Sequence, residues 1–326
     1  IKSSAASDVY KRQTMNYPET LAWIHGTERF GSRLGLGRMG RLLHRMGDPH
    51  LKVPYIHVAG TNGKGSTTTM IASALTAGGF KTGKFISPFI LEFRERMQID
   101  SEMIPEETLA ALATRLRPIA EEFKAAGDPP TEFELVTVLG LTWFAEAGCD
   151  IAVLEVGLGG RLDATNIIPP PLVAVITRID YDHTAILGDT LAAIAGEKCG
   201  ILKRGSTVIC YPDQEEEALA VICRRVKEED DPLILPDRTA LTVLSADLTG
   251  SRILYRGQEI FIPLPGPHQV LNTITAVEAL NALSSSRFAL PPSAIAAGIA
   301  AARFPARLEL LRQSPPVLVD GAHNPN

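Results

Sequence analysis

Residues 57 to 66 read His-Val-Ala-Gly-Thr-Asn-Gly-Lys-Gly-Ser and follow an apolar, β-prone run over residues 53–58. A strand that runs into glycines and then Lys-Gly-Ser is built to hold phosphate. Glycines let backbone N–H groups approach the anion closely, the lysine adds a positive point charge, and a following helix, expected over residues 66–77, turns its positive end toward the site. The spacing departs from the usual phosphate-loop pattern, because Gly60 and Gly63 are separated by two residues and Gly65 stands between Lys64 and Ser66. Strand, loop and helix nevertheless fit together, and ATP is the expected ligand.

The rest of the chain places this loop in an α/β frame. Short β-branched runs at residues 81–86, 151–156, 172–177 and 207–210 are separated or followed by helical patterns at 104–126 and 133–147. That alternation predicts a doubly wound, mostly parallel sheet with its sites at the carboxyl ends of the strands. Residues 253–262 alternate enough to suggest an antiparallel strand, and 272–283 and 292–302 read as closing helices. Residues 29–45 form a Gly/Arg-rich passage before the first strand. Residues 1–14 show neither period and are read as a tail outside the fold. Residues 15–303 would form the ATP-binding domain, and 304–326 a linker with the first strand of a second α/β domain.

Composition narrows the class. The 326 residues, 45% hydrophobic and 21% charged, describe a globular chain with one large domain and part of another. A net charge of −5 without a basic face argues against a nucleic-acid binder. No apolar stretch is long enough for a membrane span, and no signal-peptide core precedes the first helix. The four cysteines lack Cys-x-x-Cys spacing and are read as reduced, mostly buried thiols. A cytoplasmic enzyme is the expectation.

Several strand ends carry polar residues that a core does not need. Ser87 closes the second strand. Glu155 ends an apolar run before the glycine turn Gly157-Leu158-Gly159-Gly160, well placed to hold a metal on bound nucleotide. Asp180-Tyr181-Asp182-His183 follows the strand at 172–177, and His183 reads equally as metal ligand, base or loop histidine. Magnesium prefers oxygen ligands, so a histidine beside it needs independent support. Lys198 on its own reads as a surface helix lysine, and Asn272 as a cap where a loop enters a helix.

Taken in order, Gly-Thr-Asn-Gly-Lys-Gly-Ser, Ile-Ser-Pro-Phe, Glu-Val-Gly-Leu-Gly-Gly-Arg-Leu-Asp-Ala-Thr-Asn, Asp-His-Thr-x-x-Leu-Gly, Glu-Lys-x-Gly-Ile and Asp-Gly-Ala-His-Asn-Pro resemble folylpolyglutamate synthase, often bifunctional with dihydrofolate synthase, within the Mur ligases. The resemblance runs from about residue 20 to 326. It implies an ATP-dependent amide ligase in which L-glutamate joins dihydropteroate or a folate through an acyl phosphate. Thr61, Asn62, Gly63, Lys64, Gly65 and Ser66 would hold the phosphates. Asn272, Arg307 and Asp320 would contact adenine, phosphate and ribose. Ser87, Glu155 and His183 would surround one of two Mg²⁺ ions. Lys198 would be a carbamate on the second. Phe85, Thr131, Asp163 and Ala164 would form the pterin side, and His323 would lie beside the interdomain site. Lys64, Lys198, His183 and His323 are therefore the expected catalytic residues. The partners implied are small molecules, with neither nucleic acid nor membrane, and the chain a monomer. Family members continue for about half a domain after Asp-Gly-Ala-His-Asn-Pro, so a further segment closing over ATP is expected. The alternatives are another Mur-type amino-acid ligase or a non-catalytic P-loop ATP-binding remnant.

Overall fold

The computed structural model describes residues 14–27, 35–313 and 316–321. In chain order, α1 (Tyr17–His25) and α2 (Leu36–Arg45) precede β1 (Tyr55–Ala59), α3 (Lys64–Ala77) and β2 (Thr82–Phe85). The short strands β3 (Met97–Ile99) and β4 (Glu102–Met103) lead to α4 (Glu106–Ala125) and α5 (Glu132–Glu146). Then come β5 (Ile151–Glu155), β6 (Val173–Ile176), α6 (Thr184–Leu187), α7 (Leu191–Lys198), β7 (Thr207–Cys210), α8 (Glu216–Glu229) and β8 (Leu233–Ile234). Three strands, β9 (Leu241–Asp247), β10 (Gly250–Tyr255) and β11 (Gln258–Ile262), are followed by α9 (Pro267–Asn281), α10 (Pro292–Ala301), β12 (Glu309–Gln313) and β13 (Pro316–Val319).

The main sheet has the order β4-β3-β2-β5-β1-β6-β7-β8. From β2 to β8 every neighbouring pair is parallel, and β3 and β4 add an antiparallel edge. Helices cover both faces, so β1 and β5 are buried at every position. This is why their sequences read as unbroken apolar runs and not as alternation. On one face α3, α9 and α10 pack through Met70, Ile71, Ile274 and Ile299. On the other, α1, α2, α4 and α5 pack through Ile24, Leu42, Leu112 and Leu139. Next to them α7 and α8 cover β6 and β7. The carboxyl ends of β2, β5, β1 and β6 therefore open on one rim, at which the chain places its polar residues.

The doubly wound, mostly parallel sheet is as the sequence predicts; several details differ. The run at 253–262 is two strands, because Arg256 and Gly257 take left-handed conformations and turn β10 into β11. An arginine in that position hides a hairpin whose usual mark is Asn-Gly or Asp-Gly. The Gly/Arg-rich passage contains α2, whose Arg38 is buried as the partner of Glu134. Helix α9 begins at Pro267, so Asn272 lies inside it and is not its cap. Of the expected tail only Thr14 is described, and Met15 is anchored through its backbone N–H to Thr114 Oγ1 at 2.9 Å. Cys149, Cys199 and Cys210 are buried free thiols, while Cys223 is exposed. Among the described residues no helix is long and apolar enough to cross a membrane.

Candidate active site

The phosphate loop leaves β1 at Ala59, and α3 starts at Lys64, two residues earlier than the sequence suggests. Gly63 precedes the helix with φ +83°, and a Cβ there would sit 2.4 Å from Asn272 Oδ1. Glycine is required twice over, for the left-handed turn and for the approach of α9. Thr61 and Asn62 donate their N–H groups to Arg178 O at 2.8 and 3.1 Å, pinning the loop to the end of β6. The first turn of α3 then has leading N–H groups with no intrahelical carbonyl, the arrangement that accepts an anion. Lys64 Nζ donates to Thr61 O at 2.9 Å, and burial lowers its pKa against the pull of Glu155 and Asp182.

Helix α9 supplies a polar brace that the sequence did not disclose. Asn272 Nδ2 donates to Gln269 Oε1 at 3.1 Å, and Gln269 Nε2 donates to Ser66 Oγ at 3.2 Å, all three residues being buried. Phe304, expected in a linker, is buried with its ring on Gly65, where a Cβ would lie 2.6 Å from Phe304 Cζ. Arg307 stacks on that ring at 4.9 Å, and its charge is felt by both Lys64 and Glu155. Asp320 Oδ2 accepts the Leu308 N–H at 2.7 Å. Asp320 and Arg307 both act on His268, one helical turn before Asn272. The three residues expected around the nucleotide thus fall on one side of the loop, with Gln269 and His268 added.

Glu155 ends β5 and is 5% exposed, so it is not a solvated strand-end carboxylate. Its Oε2 accepts the Ser87 N–H at 3.2 Å. Burial pushes its pKa up to about 7, with Lys64 pulling the other way. A carboxyl group in that state ionises readily when a cation arrives. Lys198, 4% exposed, is likewise no surface lysine. Its Nζ donates to Gly60 O at 2.7 Å, and burial, reinforced by the Lys64 charge, lowers its pKa to about 7. His183 differs from these. It stands at φ +48° before α6 with 54% of its side chain exposed, its backbone N–H donating to Asp182 Oδ1 at 2.8 Å. Among the described residues no three His, Cys, Asp or Glu side chains converge as a metal site. Ser87 and Glu155 are joined by that hydrogen bond, whereas His183 stands exposed in the loop before α6. His323 lies outside the described residues.

Beside this rim lies a cavity of about 230 Å³ lined by residues that include Ser87, Thr131, Phe133, Leu158, Asp163 and Ala164. Three of the four residues expected on the substrate side are in its wall. Phe85 is not; it is 1% exposed and stands behind Phe133, ring centroids 6.1 Å apart. Thr131 caps α5, exchanging hydrogen bonds with Glu134, and Arg38 grips the same carboxylate from α2. The capping-box spacing of Thr131 and Glu134 was readable in the sequence; the role of Arg38 was not. Asp163 is buried and caps the short turn Ala164–Ile167.

A nucleoside-triphosphate loop, a buried carboxylate and lysine on the same rim, and an adjoining cavity define an ATP-using ligase of the Mur type. Consistent with this, the family described as Mur ligase middle domain matches residues 58–280. The chain is 39% identical over 317 residues to dihydrofolate synthase/folylpolyglutamate synthase of Bacillus subtilis, covering 94% of this chain and 73% of that protein. It is also 39% identical to folylpolyglutamate synthase of Lacticaseibacillus casei, covering 96% and 74%. A solved structure described as an FPGS-AMPPCP-folate complex superposes with a TM-score of 0.86 at 37% identity, covering 95% of this chain and 78% of that one. The chain belongs to the folylpolyglutamate synthase/dihydrofolate synthase family.

Proposed function

We propose that this chain joins L-glutamate to dihydropteroate, and to the γ-carboxylate of folates, at the expense of ATP. The observation that carries the reading is the position of Glu155, buried between the Lys64 loop and the Ser87 wall of the cavity. That is where a phosphate donor on one side and a carboxylate substrate on the other would meet. A substrate carboxylate oxygen attacks the γ-phosphorus and ADP leaves, giving an acyl phosphate. The amine of glutamate then attacks the acyl carbon, the C–O bond to phosphate breaks, and the amine loses a proton. The protein must align two anions and offset their repulsion.

Lys64 and the leading N–H groups of α3 would hold the transferring phosphate, with Asn62, Gly63, Gly65 and Ser66 shaping the cradle. Asn272, Arg307 and Asp320 would hold adenine, phosphate and ribose. The pterin would enter the cavity against Thr131, Asp163 and Ala164, with Phe85 supporting Phe133 from behind. The oxygen-rich pair Ser87 and Glu155 suits Mg²⁺, which would hold as an anion a carboxyl group whose pKa burial raises. His183, from the loop before α6, would join that shell. A bound Mg²⁺ supplies charge neutralisation between the phosphate and the substrate carboxylate.

A carbamate on Lys198 would hold the second ion. Capture of CO₂ needs a neutral amine, and an amine with its pKa lowered to about 7 is largely neutral just above that pH. The product is an anion with two oxygens, formed with release of one proton. Carbon-13 NMR after bicarbonate labelling should show a carbamate resonance that Lys198→Ala removes. An unlabelled Lys198 in protein of demonstrated activity would end that assignment.

The test of the function is ADP release measured with dihydropteroate and with tetrahydrofolate separately, each with and without glutamate. Glutamate-dependent turnover with either substrate supports the ligase. Turnover indifferent to both would mean an ATP hydrolase without ligation.

A further inference from the structure

β1 carries a histidine where a buried parallel strand has no need of one. His57 is fully buried, and its Nε2 lies 2.9 Å from Thr165 Oγ1. Thr165 Oγ1 lies 2.5 Å from Asp163 Oδ1, which also accepts the Thr165 N–H at 3.0 Å. Asp163 Oδ2 accepts the Leu158 N–H at 2.9 Å. A carboxylate ringed by donors takes the hydroxyl proton of Thr165, so the oxygen of Thr165 must accept from the imidazole. That assigns the imidazole proton to Nε2. It leaves Nδ1, buried and without a hydrogen-bond partner, as a bare acceptor. An orphaned acceptor costs less than an orphaned N–H donor, so the assignment is consistent at both ends of the ring.

We propose that His57 is a positioning residue for the substrate side of the reaction: as a neutral Nε2–H donor it fixes the Thr165 hydroxyl and, through it, the Asp163 carboxylate in the wall of the cavity. The other donors to Asp163 come from its own loop, within six residues. His57 is 108 residues from Thr165 in sequence and lies on the strand that runs into the phosphate loop three residues later. The relay therefore sets the cavity carboxylate relative to the strand that feeds the phosphate cradle. Lys203 secures the protonation state. Its Nζ donates to Asn166 O at 2.8 Å and to Ile168 O at 2.5 Å, and burial together with this charge lowers the His57 pKa to about 3. The ring stays neutral wherever the enzyme works.

The inference rests on the reading of the cavity as the pterin site, and the test separates the two. Dihydropteroate and a non-hydrolysable ATP analogue are titrated onto the full chain and onto His57→Val, His57→Gln, Thr165→Val and Asp163→Ala. A glutamine amide can stand where Nε2–H stands, so His57→Gln should bind dihydropteroate within about threefold of wild type, and His57→Val about tenfold more weakly, roughly 1.4 kcal/mol. Nucleotide affinity should stay within about twofold in both, since a positioning defect on the cavity side is not a general loss of fold. The double variant His57→Val/Thr165→Val should be no weaker than Thr165→Val alone, because the two act in series. Nitrogen-15 spectra of the histidines should show a neutral Nε2–H ring that persists as the pH is lowered well below 6.5 and is lost in His57→Gln. If Asp163→Ala weakens dihydropteroate but His57→Val does not, the relay falls and the site stands. If Asp163→Ala changes nothing, both fall. Should His57→Val not fold, His57→Gln, Thr165→Val and the spectra still decide, and a ring carrying its proton on Nδ1 overturns the proposal.

Discussion

The rim of the sheet has two halves that are built differently. Around the ends of β1 and β5, Glu155, Asp163, Lys198 from the end of α7 and His57 from within β1 are all buried, and each holds a protein hydrogen-bond partner. Past the end of β6, several side chains stand in water: Tyr181 is 52% exposed, Ile186 51%, and the His183 side chain 54%. The first half has its geometry before any ligand arrives. The second has charge and a short helix, with little packing to fix them. Preorganised groups stabilise a transition state without reorganising as it forms, whereas an exposed loop closes only when ligand contacts outweigh the entropy of ordering it. The contrast is between groups whose geometry the fold sets and a loop that the fold leaves exposed.

The largest effect should come from the buried half. Lys64→Ala removes the point charge at the head of α3, so ligase turnover should fall by about a thousandfold, near 4 kcal/mol in barrier, with circular dichroism unchanged. Activity within about tenfold of wild type would mean that the N–H groups alone hold the phosphate, and the contrast between the halves would lose its main support.

How much of this was legible beforehand follows the same divide. The phosphate loop, the parallel sheet and the strand-end position of Glu155 could be read because each leaves a local mark: glycines, β-branched runs, an acid closing an apolar stretch. The setting of Lys198 could not, because its hydrogen-bond partner Gly60 and the Lys64 charge that acts on it are far away in sequence. Gln269 and Phe304 were missed for the same reason, each touching the loop from a distant element. Asn272 was misjudged locally: Gly266 and Pro267 open α9 five residues earlier, and a proline at the first helical position was the available signal. His183 stayed ambiguous in the sequence, and the structure leaves it exposed.

Glu155→Gln comes next. It keeps the shape and the bond to Ser87 while removing the charge, so the Mg²⁺ concentration for half-maximal activity should rise by about ten- to a hundredfold, with a smaller loss at saturating metal. An unchanged magnesium titration would reduce Glu155 to a structural strand end. His183→Ala should lie below it. An exposed residue held by one neighbouring carboxylate contributes nothing measurable to stability, so thermal unfolding should shift by less than about 0.5 kcal/mol. Turnover should fall about tenfold, the effect appearing in the metal or substrate dependence. A loss as deep as that of Glu155→Gln would show that the β6 loop is part of the preorganised half after all.

The last prediction leaves turnover aside and tests whether the buried half was built at a cost in stability. Burial holds the His57 pKa at about 3 against an ordinary value of 6.5. Between those limits the unfolded chain binds a proton at this site and the folded chain does not, so stability falls as pH is lowered from 6.5 toward 3. One such group contributes a slope of up to about 1.4 kcal/mol per pH unit. Glu155, raised to about 7, works in the opposite sense: the folded state takes up its proton first, which adds stability as pH drops through 7. The two overlap, so the informative quantity is a difference. Denaturant unfolding of wild type and His57→Gln should run parallel above pH 7, and below 6.5 the variant should lose stability less steeply, by close to one proton's worth of slope. Identical slopes would mean that the imidazole is accessible to protons in the folded state, and the buried half of the rim would then be less closed than its hydrogen bonds describe.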